Sequence, residues 1–459
     1  MSRAAQASLG RLEQVVGGAS VTSDAAEIAA REVCGARPAV VLQPTDPAQI
    51  AEVLQFAAAE KLAVIPTGGC TKLGIGSPPA RYDIALDLSR MNRLLAYDPK
   101  DLTLGVEPGV RIEDLLRALA QEKQFLPLAV PFADRATIGG IAAANSSSPL
   151  RHAYGGLRDF CLGMEFVTGE GAQAKSGGRV VKNVTGYDLH KLLIGSLGTL
   201  AVITRLNFRT FPMPQAQGTF VATFSSSEAA YDFCRAVSHS VLTPQMVDVA
   251  NPGTAALIFS GETSSRLEPR TWTVVLTAAG QPAVVERHQR ELGHLAGLAD
   301  AEEFLPLTDA EADSVLAQIR EFPRLMLERA PAAAIFRISA APTTMAPLLG
   351  KLRVLAAQQE LDFVSLGRAA GVLHAAFLPQ KEMEAPPRSL AQVITEVFRA
   401  CAQPEMHASA LLEWCPVELK TSAEVVWGPP RPDFGLMRRV KNSFDSQNVL
   451  APGRFAGGI

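Results

Sequence analysis

The sequence predicts an α+β fold built in two successive halves, and three observations predict it. Short apolar strands alternate with one-faced helices in the first third and run into a glycine loop at residues 66–74. A proline-, glycine- and glutamine-rich stretch, FPMPQAQG at 211–218, interrupts the pattern. A second set of strands and helices then begins at Gly218. Strand-rich and helix-rich segments mixed without a regular βαβ rhythm point to α+β rather than to a doubly wound sheet.

Ala39 to Leu42 is a four-residue apolar run and reads as a strand. Thr45, Asp46 and Pro47 mark a helix start, with a capping side chain followed by proline at the first helical position. Ile50, Val53, Leu54 and Phe56 then repeat on one helical face. Leu62 to Ile65, Ile84 to Leu88, Leu102 to Val106 and the pair Val180 and Val181 are further strand-like runs. Beyond the boundary, strands are expected at 218–224 and 272–276, helices at about 227–238 and 283–298, and another strand–helix set over 333–400. Residues 435–454 read as a helix closed by a Pro-Gly turn.

Composition narrows the function. The 459 residues fit about two domains. With 43 Lys plus Arg against 46 Asp plus Glu the net charge is −3, which removes the basic excess that nucleic acid calls for. The longest apolar stretch, 192–204, carries two glycines and falls short of the roughly twenty residues of a spanning helix, and the N-terminus lacks an apolar signal core. A cytoplasmic protein without a transmembrane segment is expected. Six cysteines at 34, 70, 161, 234, 401 and 415 form no CxxC pair, and no HExxH occurs, so no metal site is expected.

The glycine loop carries the chemistry. Pro66, Thr67, Gly68, Gly69, Cys70, Thr71, Lys72 and Gly74 follow a strand directly. Residues without a Cβ let several backbone N–H groups approach one anion, and the Thr71 hydroxyl and Lys72 charge add to that. The loop is neither GxGxxG nor a Walker A sequence. A second small-residue run contains Pro131, Thr137, Ile138, Gly139, Gly140, Ala143 and Ala144, a composition suited to backbone pressed against a flat ligand.

The order PxGGxTKLG, PxxxATIGGxxAxN, YGxxRDxxLG and GYDLxKLxxGSxGTLxVIT over about residues 35–212, with the closing stretch from Met437 to Phe455, resembles the vanillyl-alcohol-oxidase/PCMH superfamily. The resemblance implies a two-part FAD-binding domain at 35–214 after a helical extension at 1–34. It implies an α+β cap or substrate domain at 218–434, and a tail at 435–459 that returns to the FAD domain. It implies that residues 66–74 give N–H groups to the FAD pyrophosphate, that Thr137 to Gly140 with Ala143 and Ala144 line the dinucleotide, that Gly155 lies near the flavin and that Ile203 meets the adenine edge. Tyr187, Asp188, Gly195 and Gly198 are read as scaffold around the site. Cys70 occupies the place where some relatives carry a flavin-linking histidine, and non-covalent FAD is expected; Ala451 stands where the family usually has Asn.

Within the superfamily the GGxxVKNVxGYD segment, the stretch from Cys415 to Lys420 and the Val426-Trp427-Gly428 run are similar to the FAD-binding subunits of bacterial glycolate oxidases. This implies a hydroxy-acid substrate, with a larger flavoprotein subunit and an iron–sulfur subunit as partners. The alternatives are a stand-alone flavin oxidase or dehydrogenase and a flavin-binding assembly subunit without turnover. The HGHxGDGNxH-like zinc motif of relatives acting on D-2-hydroxy acids is absent. His374 and His407 are both candidates for a proton acceptor, and Arg158, Lys182 or an arginine of the second half for a carboxylate clamp; none is singled out as catalytic.

Overall fold

The computed structural model describes residues 3–179, 186–259, 271–380, 388–421, 423–429 and 432–459. Val180, Val181 and Lys182 lie outside the described residues.

A four-stranded sheet opens the chain, with strands β1 (Val21–Thr22), β2 (Val40–Leu42), β3 (Val64–Thr67) and β4 (Ile84–Asp87) in the order β1-β2-β4-β3. β2 and β3 both run parallel to β4. The crossover helix Pro47–Ala59 makes that possible, and Asp46 starts it by accepting from Ala48 N at 2.9 Å and Gln49 N at 3.0 Å. The helix Arg3–Val16 lays Leu12 and Val16 on the same core.

The second sheet joins β5 (Leu94–Asp98), β6 (Thr103–Val106), β8 (Cys161–Thr168), β9 (Gln173–Gly177) and β10 (Ala201–Arg209) in the antiparallel order β5-β6-β10-β8-β9. A small ribbon pairs β7 (Gln124–Phe125) with β11 (Phe211–Pro212).

The remaining strands are β12 (Ala216–Phe224), β13 (Met246–Ala250), β14 (Trp272–Gly280), β15 (Glu303–Pro306), β16 (Ala334–Ala340), β17 (Leu361–Arg368), β18 (Val372–Pro379) and β19 (Ala408–Trp414). They form one antiparallel sheet in the order β15-β12-β14-β13-β17-β18-β16-β19. Its inner strands are rich in Val, Phe, Thr and Ile and largely buried on both faces, while the edge strands β15 and β19 are partly exposed. Helices Ser227–His239, Pro282–Leu298, Met345–Gln358 and Arg388–Cys401 cover one face. The other face is covered at one end by Pro252–Ile258, Asp309–Arg320 and Phe322–Arg329. At its other end that face meets the N-terminal part.

Side-chain bonds cross this junction. Gln245 Nε2 donates to the Tyr154 hydroxyl at 2.6 Å, Phe132 N donates to Glu321 Oε2 at 2.9 Å, and Arg337 Nη1 donates to Asn145 O at 2.5 Å.

The C-terminal helix Phe434–Phe444 leads back to the first sheet. Val64 N donates to Val449 O at 2.8 Å and Ala451 N to Val64 O at 2.9 Å, so the tail pairs with β3 just before the glycine loop.

Candidate active site

At the end of β3 the chain turns through Gly68 and Gly69 because no side chain fits there. A Cβ on Gly69 would lie 1.9 Å from Arg135 O, and one on Gly68 would lie 2.4 Å from Thr137 Oγ1. The two small-residue runs therefore touch backbone to backbone. Cys70 follows in the left-handed region at φ 54°, which the turn imposes.

These runs wall a single cavity, lined from both sides by small residues. Of the residues expected at the cofactor, Pro66, Thr67, Gly68, Gly69, Cys70, Thr71, Lys72, Pro131, Thr137, Gly139, Gly140, Ala143, Ala144 and Ile203 line it. Gly74, Ile138 and Gly155 do not. Ile138 is buried in the core of the second sheet, Gly74 lies beside Trp414, and Gly155 closes a short helix against Asp159.

Leu197, Gly198, Ala201 and Arg454 line it as well. Gly198, read from the sequence as scaffold, is thus part of the cavity wall. Arg454 is 3% exposed, donates from Nη2 to Leu73 O at 2.9 Å and also to Ile75 O, and leaves Nε and Nη1 without a partner. The signal that identifies it in the sequence is the closing Pro-Gly-Arg. Ala451 sits at φ 43°, a conformation in which Asn is favoured over Ala.

The cavity suits a dinucleotide by the chemistry of its wall. The hydroxyls of Thr67, Thr137 and Ser146 are buried without a partner, which is costly unless a ligand or water meets them. Closely approached backbone, three free hydroxyls and the Arg454 guanidinium form a donor set for a pyrophosphate, while the Lys72 ammonium turns toward Trp414 and Glu413. Burial pushes the Cys70 thiol up to about 11, so it is protonated at neutral pH and a poor nucleophile.

Across the junction lies a second group of polar residues that share one face of the large sheet. Asp248 on β13 pairs in register with Arg368 on β17, and Arg368 Nη1 reaches Asp248 Oδ2 at 2.7 Å. His374 on β18 stands directly opposite Arg337 on β16. Glu413 on the neighbouring β19 lies 3.3 Å from Arg337 Nε through Oε1, an ion-pair distance without hydrogen-bond alignment.

His374 is 6% and Glu413 1% exposed. Both ring nitrogens of His374 and both oxygens of Glu413 lack a hydrogen-bond partner. Burial holds His374 well below its usual range, and the Arg368, Arg337 and Lys72 charges push the same way, so the ring is neutral. Lys72 joins this group to the cavity: it lines the cavity wall, packs its ammonium over the Trp414 ring at 5.6 Å, and is in electrostatic contact with Glu413, Arg337 and Arg368.

The other sequence candidates lie elsewhere. His407 is an exposed residue after a short turn of helix, and Arg158 is exposed on the helix Leu157–Phe160. Lys182 falls outside the described residues. Among the described residues no cluster of three His, Cys, Asp or Glu side chains could hold a metal ion.

Residues 38–177 match the FAD binding domain, and residues 213–405 match the C-terminal domain of FAD linked oxidases. The chain belongs to the FAD-linked oxidase family. It is 25% identical over 433 residues to the glycolate oxidase subunit GlcD of Bacillus subtilis, spanning 91% of this chain and 88% of that one. It is 33% identical over 179 residues to the glycolate oxidase subunit GlcE of Escherichia coli, a match that covers 39% of this chain and 51% of the relative. Among solved structures, p-cresol methylhydroxylase with substrate bound superposes at a TM-score of 0.80 and 16% identity, over 99% of this chain and 97% of that one. The 4-ethylphenol oxidase from Gulosibacter chungangensis superposes at 0.78 with 16% identity, over 100% and 98%. This FAD-linked oxidase therefore has the PCMH-type fold that its motif order implies. No helix among its described residues is long and apolar enough to cross a membrane.

Proposed function

We propose that this FAD-linked oxidase oxidises a small 2-hydroxy acid and passes the electrons to a partner chain. One observation carries the reading: Lys72, on the wall of the cofactor cavity, is in electrostatic contact with a buried face where a neutral, unpartnered His374 stands directly opposite Arg337. An α-hydroxy acid needs an acceptor for its hydroxyl proton and a cation for its carboxylate. His374 is the proposed acceptor, because its ring is neutral and free at both nitrogens. Arg337, Arg368 and Lys72 supply the positive field around it.

FAD is held non-covalently in this reading, by residues 66–72 and the 137–144 turn, with Arg454 behind the loop. When bound, its isoalloxazine supplies a two-electron acceptor. Packing of Phe322, Val364 and Leu366 on the same sheet face keeps that region dry, which strengthens each charge–charge contact there.

The likeness to a relative named as a subunit of glycolate oxidase supports a partner chain. We assign that role to a larger flavoprotein subunit and an iron–sulfur subunit. The test is an anaerobic spectrum of the purified FAD-loaded chain with glycolate or D-lactate. Bleaching of the flavin band is expected; a band unchanged by every 2-hydroxy acid, with or without the partner subunits, overturns the proposal.

A further inference from the structure

The buried polar row on the large sheet has a countable charge. At neutral pH Lys72, Arg337 and Arg368 count as cations and Asp248 and Glu413 as anions; burial pushes the Asp248 carboxyl up only to about 6, and the Glu413 charge opposes the lowering of Lys72 by burial. Three positive and two negative charges leave one positive charge, and His374 is neutral. The strand order β13-β17-β18-β16-β19 brings Asp248, Arg368, His374, Arg337 and Glu413 together, with Asp248 opposite Arg368, His374 opposite Arg337 and diagonal to Arg368, and Glu413 reached by the Arg337 side chain, although 165 positions separate the first from the last (413 − 248).

The side chains of Arg368 and Asp248 are 6% and 0% exposed, and those of Arg337 and Glu413 are 17% and 1% exposed. Charges so buried are weakly screened and must be balanced locally. Arg151 also faces Arg368, but it is half-exposed at the rim, where water and salt screen it. The unpartnered atoms of His374 and Glu413, with Nε of Arg368, mark where a ligand would sit.

We infer that this face is a charge-matched receptor for a ligand carrying a single carboxylate and a neighbouring hydroxyl, and that Glu413 excludes dicarboxylates. One bound carboxylate brings the row to neutrality. A second would leave a net negative charge in a water-poor gap and lie against the Glu413 carboxylate, where like charges repel. Specificity of this kind comes from the built-in repulsion as much as from the attraction. The inference rests on the proposed function for the location of the substrate, and it adds the class of acid and the residue that selects it.

The test measures binding without turnover. Two ligands lack the hydrogen on the carbinol carbon and are not oxidised: 2-hydroxyisobutyrate, a monocarboxylate, and citramalate, its dicarboxylate counterpart. Calorimetry and the perturbation of the flavin visible band are recorded on the FAD-loaded protein. The wild type is expected to bind 2-hydroxyisobutyrate at least ten-fold more tightly than citramalate. Glu413→Gln raises the net charge of the row from one to two and is expected to reverse or abolish that preference. Asp248→Asn makes the same charge change at the far end of the row and serves if the first variant does not fold. Equal binding of both acids to the wild type, no binding of either, or an unchanged ratio in a folded variant overturns the inference. Failure of the proposed function reads differently: the selectivity stands, but no oxidisable hydroxy acid bleaches the flavin.

Discussion

His374 and Arg337 stand directly opposite each other on adjacent strands, side by side on the face of the large sheet that meets the FAD-binding part. Arg337 is anchored twice, to Asn145 O across the junction and to Glu413 on its own sheet. Neither ring nitrogen of His374 has a hydrogen-bond partner. The pair therefore combines a fixed cation with a free base, and the consequences of removing either property differ.

Replacing His374 with Asn is expected to lower the rate of flavin reduction by a hydroxy acid roughly 10²–10⁴-fold, the usual worth of a positioned base. FAD content should not change, because His374 is absent from the cavity wall. The same variant has a second readout. The folded-state pKa of His374 is depressed, so the unfolded chain takes up a proton that the folded chain refuses as pH drops below about 6.5. The stability this neutral histidine contributes is thus fully present above that pH and is lost as pH falls toward the folded value. In His374→Asn the slope of unfolding free energy against pH between about 5 and 6 should be shallower by up to about 1.4 kcal/mol per pH unit. Urea unfolding at a series of pH values measures it, and an unchanged slope contradicts the buried neutral assignment.

Gly69→Ala should cost the protein its cofactor. The added Cβ would lie 1.9 Å from Arg135 O, so the two small-residue runs must separate. A loss of about 1–3 kcal/mol of stability is expected from overpacking, with a colourless preparation. Gly74→Ala is the control in the same loop, since the nearest atom to its Cβ is Trp414 Cδ1 at 4.0 Å. It should stay within about 0.5 kcal/mol of wild type and retain the flavin absorbance.

The glycine loop and the 137–144 turn were legible in the sequence for a physical reason. Backbone pressed against backbone or against a flat ligand tolerates few residue types, so Gly68, Gly69, Gly139 and Gly140 leave a local mark. The row on the large sheet leaves none. Arg337, Arg368, His374 and Glu413 are each one polar residue in an apolar strand, and strand order alone brings them together. A histidine in the run Val372–Pro379 is visible in the sequence, but its cross-strand neighbours are not, and only burial separates it from the exposed His407. The closing Pro-Gly-Arg marks Arg454 in the sequence, but its place at the glycine loop depends on a tail that pairs with β3 across nearly the whole chain.

Cys70 lines the cavity, and its thiol is held protonated by burial, with the Sγ 3.4 Å from Gly68 O. Denaturation in acid should therefore release all of the flavin into the supernatant, and Cys70→Ser should keep the cofactor at wild-type occupancy. Yellow colour remaining with the precipitated wild-type protein, but not with Cys70→Ser, would establish a thioether and refute the non-covalent reading.

Lys441 tests how far the tail governs the site. Its Nζ is buried and donates to Asp445 Oδ2 at 2.6 Å, to Thr199 O at 2.7 Å and to Leu450 O at 2.9 Å. Asp445 in turn accepts from Val449 N at 2.9 Å and Leu450 N at 2.7 Å, which sets the path of the chain into its pairing with β3. Lys441→Met leaves the Asp445 carboxylate buried without its cation, a change worth about 3–5 kcal/mol. Because Arg454 reaches the glycine loop from this same tail, FAD affinity should fall together with stability. Lys441→Met combined with Asp445→Asn removes the unpaired charge and should recover part of the stability; Val449 N and Leu450 N donate to different oxygens of Asp445, so the single Asn carbonyl oxygen keeps one of the two bonds. If denaturant unfolding shows Lys441→Met as stable as wild type, the tail is not held by this pair, and its coupling to the flavin loop through Arg454 loses its basis.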